Sequence, residues 1–219
     1  MRLHLNLSPS LEYIPHDYKK LIVKKLHQWI GKNNELHDDI SLYSISNIYG
    51  TDLISEKKGY VLQQKGSFFI SMYNQQVAKH LISEIQKSPD LFCGMKVTGL
   101  DIQQTPNFKS GEYLFRVASP VLVKKDGKSY TYEDEISNEI MTNIFHTKLK
   151  KANVTTEGAS IRFDLSYRGK KTKSIQYKTG YVKSNICPII LKTTTPEQAE
   201  VAYHSGAGGS TGIGFGALE

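Results

Sequence analysis

Residues 203–219 read YHSGAGGSTGIGFGALE, and six of these seventeen positions are glycine. Glycine loses more conformational freedom on folding than any other residue, so a segment this rich in it needs a purpose that side chains would obstruct. A helix C-cap followed by a tight turn explains one or two glycines, with Gly206 ending the preceding helix. The remaining glycines need a different explanation.

Two phosphate-binding motifs do not fit this segment. Gly212, Gly214 and Ala217 match the G-x-G-x-x-A pattern of dinucleotide-binding proteins, but only two residues follow, too few for the helix that receives the pyrophosphate. A Walker loop needs a Lys-Ser or Lys-Thr pair after its last glycine, and the segment has none. The interpretation that remains is a backbone nest in which an RNA strand lies against main-chain N–H groups. Gly214 and Gly216 then share one face of a last strand at 213–219 and leave that face flat.

The net charge is compatible with a polyanionic partner but does not require one. Lysine and arginine number 28 against 21 aspartate and glutamate residues, so the formal net charge is +7. This excess suits a polyanionic partner, either a nucleic acid or an anionic membrane surface. The two cysteines, Cys93 and Cys187, have no metal-binding spacing, so we expect neither a metal site nor a disulfide scaffold. No apolar run could cross a bilayer, and we expect a cytoplasmic globular protein without a membrane partner.

Hydrophobic periodicity predicts the order β-α-β-β-α-β for the first half of the chain. Leucines alternate with polar residues at the start, as in a half-buried strand, and Tyr18, Ile22, Leu26 and Trp29 then recur at helical spacing. The predicted elements are a strand at 2–7, a helix at 17–31, strands at 41–50 and 66–74, a helix at 75–88 and a strand at 92–103.

A linker at 104–111 precedes a second half in which the same order is predicted. Thr195, Pro196 and Gln198 have the spacing of a capping box at the start of the last helix. The predicted elements are a strand at 112–123, a helix at 129–152, strands at 159–169 and 173–182, a helix at 195–204 and the strand at 213–219. Residues 187–193 are predicted either as the end of the strand at 173–182 or as a further strand. We therefore expect an α+β fold of two tandem ferredoxin-like (βαββαβ) domains, 1–104 and 111–219, each an antiparallel sheet backed by two helices.

The ordered motifs resemble those of the CRISPR-associated repeat endoribonucleases, a family of the repeat-associated mystery protein superfamily. Segments 36–50, 115–123 and 177–191 resemble the family's stretch after the first helix, its strand containing Ser-Pro, and the strands before its last helix. The family's fold, two tandem ferredoxin-like domains, is also the fold that the element order predicts. The family's glycine signature, a G-x-G pair followed by G-F-G near the C-terminus, is matched by Gly206, Gly208, Gly212, Gly214, Phe215 and Gly216.

The resemblance implies a metal-independent endoribonuclease without a cofactor, which cuts CRISPR repeat RNA, the precursor of guide RNA, and leaves a 2′,3′-cyclic phosphate. In this chemistry a base removes the proton of the RNA's own 2′-hydroxyl and an acid protonates the leaving oxygen; histidine serves either role near neutral pH. The family's L-H-[DE] segment matches LHD at 36–38, which makes His37 the leading base or acid candidate. His27 occupies the partner position on the preceding helix, and Tyr43 is a candidate for orienting the phosphate or the attacking hydroxyl.

Two basic segments are candidates for RNA binding. On the first helix, His27 falls near Lys20 and Lys24 and away from the apolar stripe; such a face could meet a scissile phosphate, and an ordinary solvated face is an equally good interpretation. Segment 167–178 is a predicted hairpin that combines basic residues with tyrosines, although a charged, exposed turn is the better explanation of that motif taken alone. The complete set of predicted RNA-binding residues is Lys20, Lys24, Arg168, Lys170, Lys171, Lys173, Gly206, Gly208, Gly209, Gly212, Gly214 and Gly216.

Two other functions stay open on the sequence. A non-catalytic RNA-binding subunit of a guide-RNA ribonucleoprotein complex would use the same fold and surface. A small-molecule or regulatory module on a ferredoxin-like fold would be favoured by a dry apolar pocket and by RNA binding without salt dependence. The expected partner is CRISPR repeat RNA, with other subunits of a CRISPR effector complex or a second copy of the chain in a homodimer as further alternatives.

Overall fold

The computed structural model describes residues 1–31, 40–55, 59–177 and 180–219. The elements of the first half are β1 (Arg2–Leu7), α1 (Lys19–Ile30), β2 (Tyr43–Ile45), β3 (Asp52–Ser55), β4 (Gly59–Val61), β5 (Gly66–Met72), α2 (Gln75–Lys87) and β6 (Val97–Gln103). Those of the second half are β7 (Gly111–Phe115), β8 (Val123–Lys125), β9 (Lys128–Tyr130), α3 (Ser137–Lys151), β10 (Ser160–Phe163), β11 (Lys171–Tyr177), β12 (Gly180–Ile186), β13 (Ile189–Thr193), α4 (Pro196–Ser205) and a 3₁₀ turn (Thr211–Ile213).

The first half is built on a four-stranded antiparallel sheet in the order β2-β5-β1-β6. This order, with α1 and α2 in the two crossovers, is that of a ferredoxin-like fold. The leucines of β1 alternate as the sequence predicts, and all three are buried in one hydrophobic core with Ile22 and Leu26 of α1 and Leu81 of α2. The apolar stripe of α1 therefore faces the sheet and leaves the opposite face of the helix for other contacts.

The second half has a three-stranded antiparallel sheet in the order β10-β13-β7. The place beside β7 where a fourth strand would lie is taken by the end of the chain, through a single bridge between Val117 and Leu218. The prediction of a regular strand at 213–219 is therefore wrong. Gly214 and Gly216 have φ angles of 91° and 61°, which an extended strand does not allow.

Other boundaries differ from the sequence prediction for local reasons. The predicted strand at 112–123 ends at Phe115, and the helix predicted from 129 begins only at Ser137. In front of that helix, the Asp134 carboxylate accepts hydrogen bonds from the main-chain N–H and the hydroxyl of Thr131, which forms a separate turn. The capping box of α4 is confirmed, because the Thr195 hydroxyl accepts from the N–H of Gln198 and the Gln198 side chain reaches back. The α+β class of tandem ferredoxin-like units is confirmed; the boundaries 1–104 and 111–219 stay a prediction.

Arg2 joins the first sheet to the second half. Its buried guanidinium lies 4.1 Å from the ring centre of Phe69 and 3.9 Å from that of Tyr203. It also donates to the carbonyl oxygens of Tyr203 (3.2 Å) and Leu218 (2.6 Å) and to the hydroxyl of Ser71 (3.3 Å). A desolvated cation held by two aromatic faces and three acceptors fixes the two halves against each other. In the described ranges, no helix combines the length and the apolar character that crossing a membrane requires.

Candidate nucleic-acid interface

The glycine-rich segment 206–216 is held from both halves through its carbonyl oxygens. The hydroxyl of Tyr43 on β2 donates to Gly212 (3.2 Å), and the ammonium of Lys19 at the start of α1 donates to Gly214. From the second half, the ammonium of Lys148 donates to Gly206 (2.9 Å). The segment is therefore packed between the halves, and its position depends on both.

Most of the glycines in this segment approach other atoms of the protein closely. Gly206, Gly208, Gly212, Gly214 and Gly216 are buried, whereas Gly209 is half-buried. A Cβ on Gly206 would lie 2.4 Å from the Gly216 carbonyl oxygen, and one on Gly208 would lie 2.5 Å from that of Leu122. Glycine is thus required here by the protein's own backbone, and RNA contact at these six positions stays a prediction.

Lys148 is a buried cation that the sequence analysis did not single out. It lies on the buried side of α3, and its ammonium donates to the carbonyl oxygens of Ser205 and Gly206 (both 2.9 Å) and contacts the hydroxyl of Thr211 (3.5 Å). Because the carbonyls at the end of α4 carry partial negative charge, this is a favourable place for a cation. Burial nevertheless lowers the pKa of Lys148 to about 7.

We expect Lys148→Met to reduce the rise of stability with pH above pH 7. The unfolded chain keeps the Lys148 proton up to the ordinary pKa of 10.5, whereas the folded chain loses it near pH 7. Between these values the unfolded state binds more protons, so the free energy of unfolding of the wild-type protein rises with pH by about 1 kcal/mol per pH unit from this group. Urea unfolding at several pH values above 7 measures this slope. Lys150→Met, which removes an exposed lysine of the same helix, is the matched control; parallel curves for wild type and Lys148→Met would contradict the assignment.

A cleft of about 1210 Å³ opens between the two halves beside the glycine-rich segment. One wall is the start of α1 with the turn before it: the helix contributes Lys19 and Lys20, and the turn contributes His16. The opposite wall is the β11–β12 hairpin, which contributes Lys173 and Tyr181. The cleft thus combines side chains that lie more than 150 positions apart in the sequence, and its lining includes three lysines, Lys19, Lys20 and Lys173.

The remaining lining of the cleft is aromatic and aliphatic. Tyr60 of β4 stands edge-on to His16, with ring centres 5.1 Å apart. Phe215 and Ile213 of the tail and Leu53 of β3 line other parts of the surface. A groove that presents both ammonium groups and aromatic faces suits single-stranded nucleic acid, whose phosphates and bases need these two surfaces.

Lys19 is the most perturbed cation of the cleft. Its ammonium donates to the Gly214 carbonyl oxygen and lies 5.0 Å from the ring centre of Phe215. Burial, with a smaller contribution from the charge of Lys173, lowers the pKa of Lys19 to about 7. The neighbouring Lys20 pairs with Asp17, and because the Lys20 side chain is exposed, this pair contributes little to stability.

The three predicted catalytic residues fall in different situations. His37 belongs to segment 32–39, outside the described residues. His27 is half-buried on α1, one turn beyond the cleft residue Val23. Tyr43 is only 2% exposed, and burial raises the pKa of its hydroxyl, which is bonded to Gly212. The structure therefore gives Tyr43 a role in positioning the tail, and substrate contact by all three residues stays a prediction.

The fold brings only some of the predicted RNA-binding cations to the cleft. Lys20 and Lys173 both line the cleft. Lys24 is exposed on α1 outside the cleft lining. The remaining members of the predicted set precede or begin the hairpin and do not line the cleft: Arg168, Lys170 and Lys171. Sequence reasoning missed Lys19 because at helical spacing it counts as one more surface lysine, and only the fold places Gly214 and Phe215 beside it.

Comparison with known proteins shows which family this architecture is similar to. A family model described as CRISPR associated protein Cas6, C-terminal, matches residues 103–219. Among solved structures, a Cas6-related protein from Pyrococcus furiosus has a TM-score of 0.85 at 20% identity, covering 100% of this chain and 97% of its own. A protein described as a RAMP protein binding different RNA substrates has a TM-score of 0.81 at 18% identity, with coverage of 100% and 98%. A Cas6 product complex has a TM-score of 0.65 at 12% identity, with coverage of 100% and 99%. No curated protein sequence matches the chain significantly.

These structural similarities extend over the whole length of the chain. They place its fold in the class with two ferredoxin-like units in tandem. Because the family model matches more than half of the residues, the chain belongs to the Cas6 family of CRISPR-associated proteins. Membership of this family supports a general role in the processing or binding of CRISPR RNA.

Proposed function

We propose that the protein is a metal-independent endoribonuclease that cleaves CRISPR repeat RNA and leaves a 2′,3′-cyclic phosphate. The observation that carries the proposal is membership of the Cas6 family, to which the chain's own glycine-rich tail and C-terminal half belong. The basic cleft beside that tail supports it, because the family's expected substrate is a polyanion. The same tail that identifies the family thus forms one side of the surface where we expect RNA.

In the proposed reaction, the 2′-oxygen of one nucleotide attacks its own 3′-phosphorus atom. A base accepts the 2′-hydroxyl proton, the bond from phosphorus to the 5′-oxygen breaks, and an acid protonates that leaving oxygen, so the products are a 2′,3′-cyclic phosphate and a 5′-hydroxyl. We assign the two proton roles to His37 and His27. Lys20 and Lys24 lie two turns and one turn before His27 on α1 and would neutralise charge that builds on the phosphate.

The test is incubation of the protein with its repeat RNA in EDTA, followed by gel analysis of the products. We expect cleavage at an unchanged rate in the chelator, because the RNA supplies the nucleophile. The 5′ product should end in a 2′,3′-cyclic phosphate, and the 3′ product should begin with a 5′-hydroxyl. A matched RNA with a single 2′-deoxyribose at the cleaved nucleotide should stay intact. Loss of cleavage in EDTA, or cleavage of the deoxy RNA, would overturn the proposed mechanism.

A second candidate function is RNA binding without cleavage, as a subunit of a guide-RNA complex. One structural neighbour is itself described as binding different RNA substrates, and its fold matches this chain over its whole length. The same gel separates the candidates, because a binding protein shifts the repeat RNA and gives no products. Action in the cytoplasm, with other effector subunits or as a homodimer, belongs to the proposal in either case.

A further inference from the structure

We propose that the cleft between α1 and the β11–β12 hairpin binds one unpaired nucleotide of the RNA, with the phosphate at Lys19 and Lys173 and the base against Tyr181. This inference rests on the proposed function, since it takes RNA as the ligand. It adds a defined place where the protein holds a nucleotide beside the one that is cut.

The charges of the cleft favour an anion between Lys19 and Lys173. Among the described residues that line the cleft, Asp17 is the only carboxylate, and it is paired with Lys20. Burial and the neighbouring charge of Lys173 both disfavour the charged form of Lys19, which lowers its pKa to about 7. A phosphodiester between the two ammonium groups would supply the opposite charge that the lining lacks and would favour the charged form of Lys19 again.

The aromatic residues of the cleft favour an unpaired base. Tyr181 on β12 is 75% exposed, so most of its side chain is not packed against the protein. The half-buried Tyr60 adds further aromatic surface to the same cleft, whereas Phe215 is buried in its lining. Bases stack on such side chains when they are unstacked from their neighbours, as in single strands and loops, whereas the bases of a duplex are already stacked. The ligand is therefore a single-stranded part of the RNA.

The proposed catalytic histidine on α1 lies one turn beyond the last α1 residue that lines the cleft. His16, Lys20, Val23 and His27 recur three or four residues apart, which places them on one stripe of the helix and its entry turn. Lys20 and His27 are seven residues apart, so about 10 Å separates them along the helix axis. A nucleotide in the cleft therefore lies next to the segment of RNA that reaches His27.

The binding test uses fluorescein-labelled repeat RNA with 2′-O-methyl groups, which lacks the attacking hydroxyl and stays intact. We expect Lys19→Met to weaken binding about tenfold and to reduce the slope of log affinity against log salt concentration by about 0.7, the effect of one phosphate contact on a single strand. Tyr181→Ala should weaken binding about tenfold through lost stacking. Lys79→Met, which removes an exposed lysine of α2, is the charge-matched control and should bind as wild type does.

A pH series distinguishes direct phosphate contact from a structural role of Lys19. Above about pH 7 the free protein must take up a proton on Lys19 to bind, so we expect wild-type affinity to fall as the pH rises, by at most about tenfold per unit. Lys19→Arg keeps the charge and should flatten this dependence. All other titratable groups that line the cleft stay the same in that comparison: His16, Asp17, Tyr18, Lys20, Tyr60, Lys173 and Tyr181.

Photo-crosslinking completes the experiment. With 4-thiouridine in the repeat RNA, we expect crosslinked peptides that contain Tyr181 or Tyr60. The nucleotide site would be overturned if both Lys19→Met and Tyr181→Ala bound RNA with wild-type affinity and all crosslinks fell on peptides without Tyr181 or Tyr60. If such a protein still cuts the RNA, the proposed function remains intact. Absence of any repeat-RNA binding by the wild-type protein would overturn the proposed function and this inference together.

Discussion

Replacement of His37 by alanine is expected to slow the cleavage of repeat RNA by about 10²-fold to 10⁴-fold, the usual contribution of a general acid or base. RNA affinity should be unchanged, because the imidazole transfers a proton and is only one of many groups near the RNA. Single-turnover cleavage and equilibrium binding, measured on the same variant, separate the two effects. His37→Ala protein that cuts at the wild-type rate would remove His37 from the mechanism.

His27 decides whether one histidine acts or two. If both transfer protons, the rate of the wild-type protein should be bell-shaped against pH, and each alanine variant should lose one limb of that curve. The double variant should then be little slower than the slower single variant, because residues that act as a unit are not additive. His80→Ala, at an exposed position of α2, is the matched control for loss of a histidine. Unchanged cleavage in His27→Ala would leave the partner role to another group.

Gly216→Ala is expected to lower the free energy of unfolding by about 3 kcal/mol or more. The added Cβ would lie 1.9 Å from the carbonyl oxygen of Ala207, a backbone atom that cannot rotate away, and φ at Gly216 is 61°. Urea unfolding measures the loss. Should this variant fail to fold, Gly214→Ala provides a milder version, because its Cβ would approach only the flexible side chain of Lys19 at 3.1 Å.

Gly127→Ala is the matched control for this prediction. Gly127 also has a positive φ, 82°, but nothing lies within 4 Å of its added Cβ. The control therefore carries the conformational cost alone, about 1 kcal/mol. The expected order of destabilisation is Gly127 least, Gly214 next and Gly216 most. Equal losses at Gly127 and Gly216 would show that close backbone packing is not what requires glycine in the tail.

Periodicity was sufficient for the layout of the fold because its main elements are regular and half-buried. The alternating leucines of β1 and the stripe of α1 lie in the core as predicted, and the Thr195 cap is formed. The tail could not be predicted in the same way. Its conformation depends on positive φ angles and on carbonyl anchors from Tyr43, Lys19 and Lys148, three contacts between residues far apart in sequence.

The sequence predicted that the candidate site is basic, but it identified only some of the lysines that line the cleft. Lys20 and Lys173 were selected from charge patterns and do share the cleft, whereas Lys24, Lys170 and Lys171 lie outside it. A charge pattern identifies lysines that are exposed, but it does not indicate which of them face a common space. That information comes from the fold, which brings the start of α1 and the β11–β12 hairpin to the same cleft and which no local pattern encodes.

The contact between Arg2 and the Leu218 carbonyl oxygen has a consequence for biosynthesis. A ribosome makes β1 early and Leu218 more than two hundred residues later, so this contact can form only after Leu218 has left the ribosome. The first sheet can assemble before that point, but the guanidinium of Arg2 then lacks the acceptor that Leu218 supplies. Closing the joint between the halves is therefore a late step of folding, and contacts of such long sequence separation form slowly.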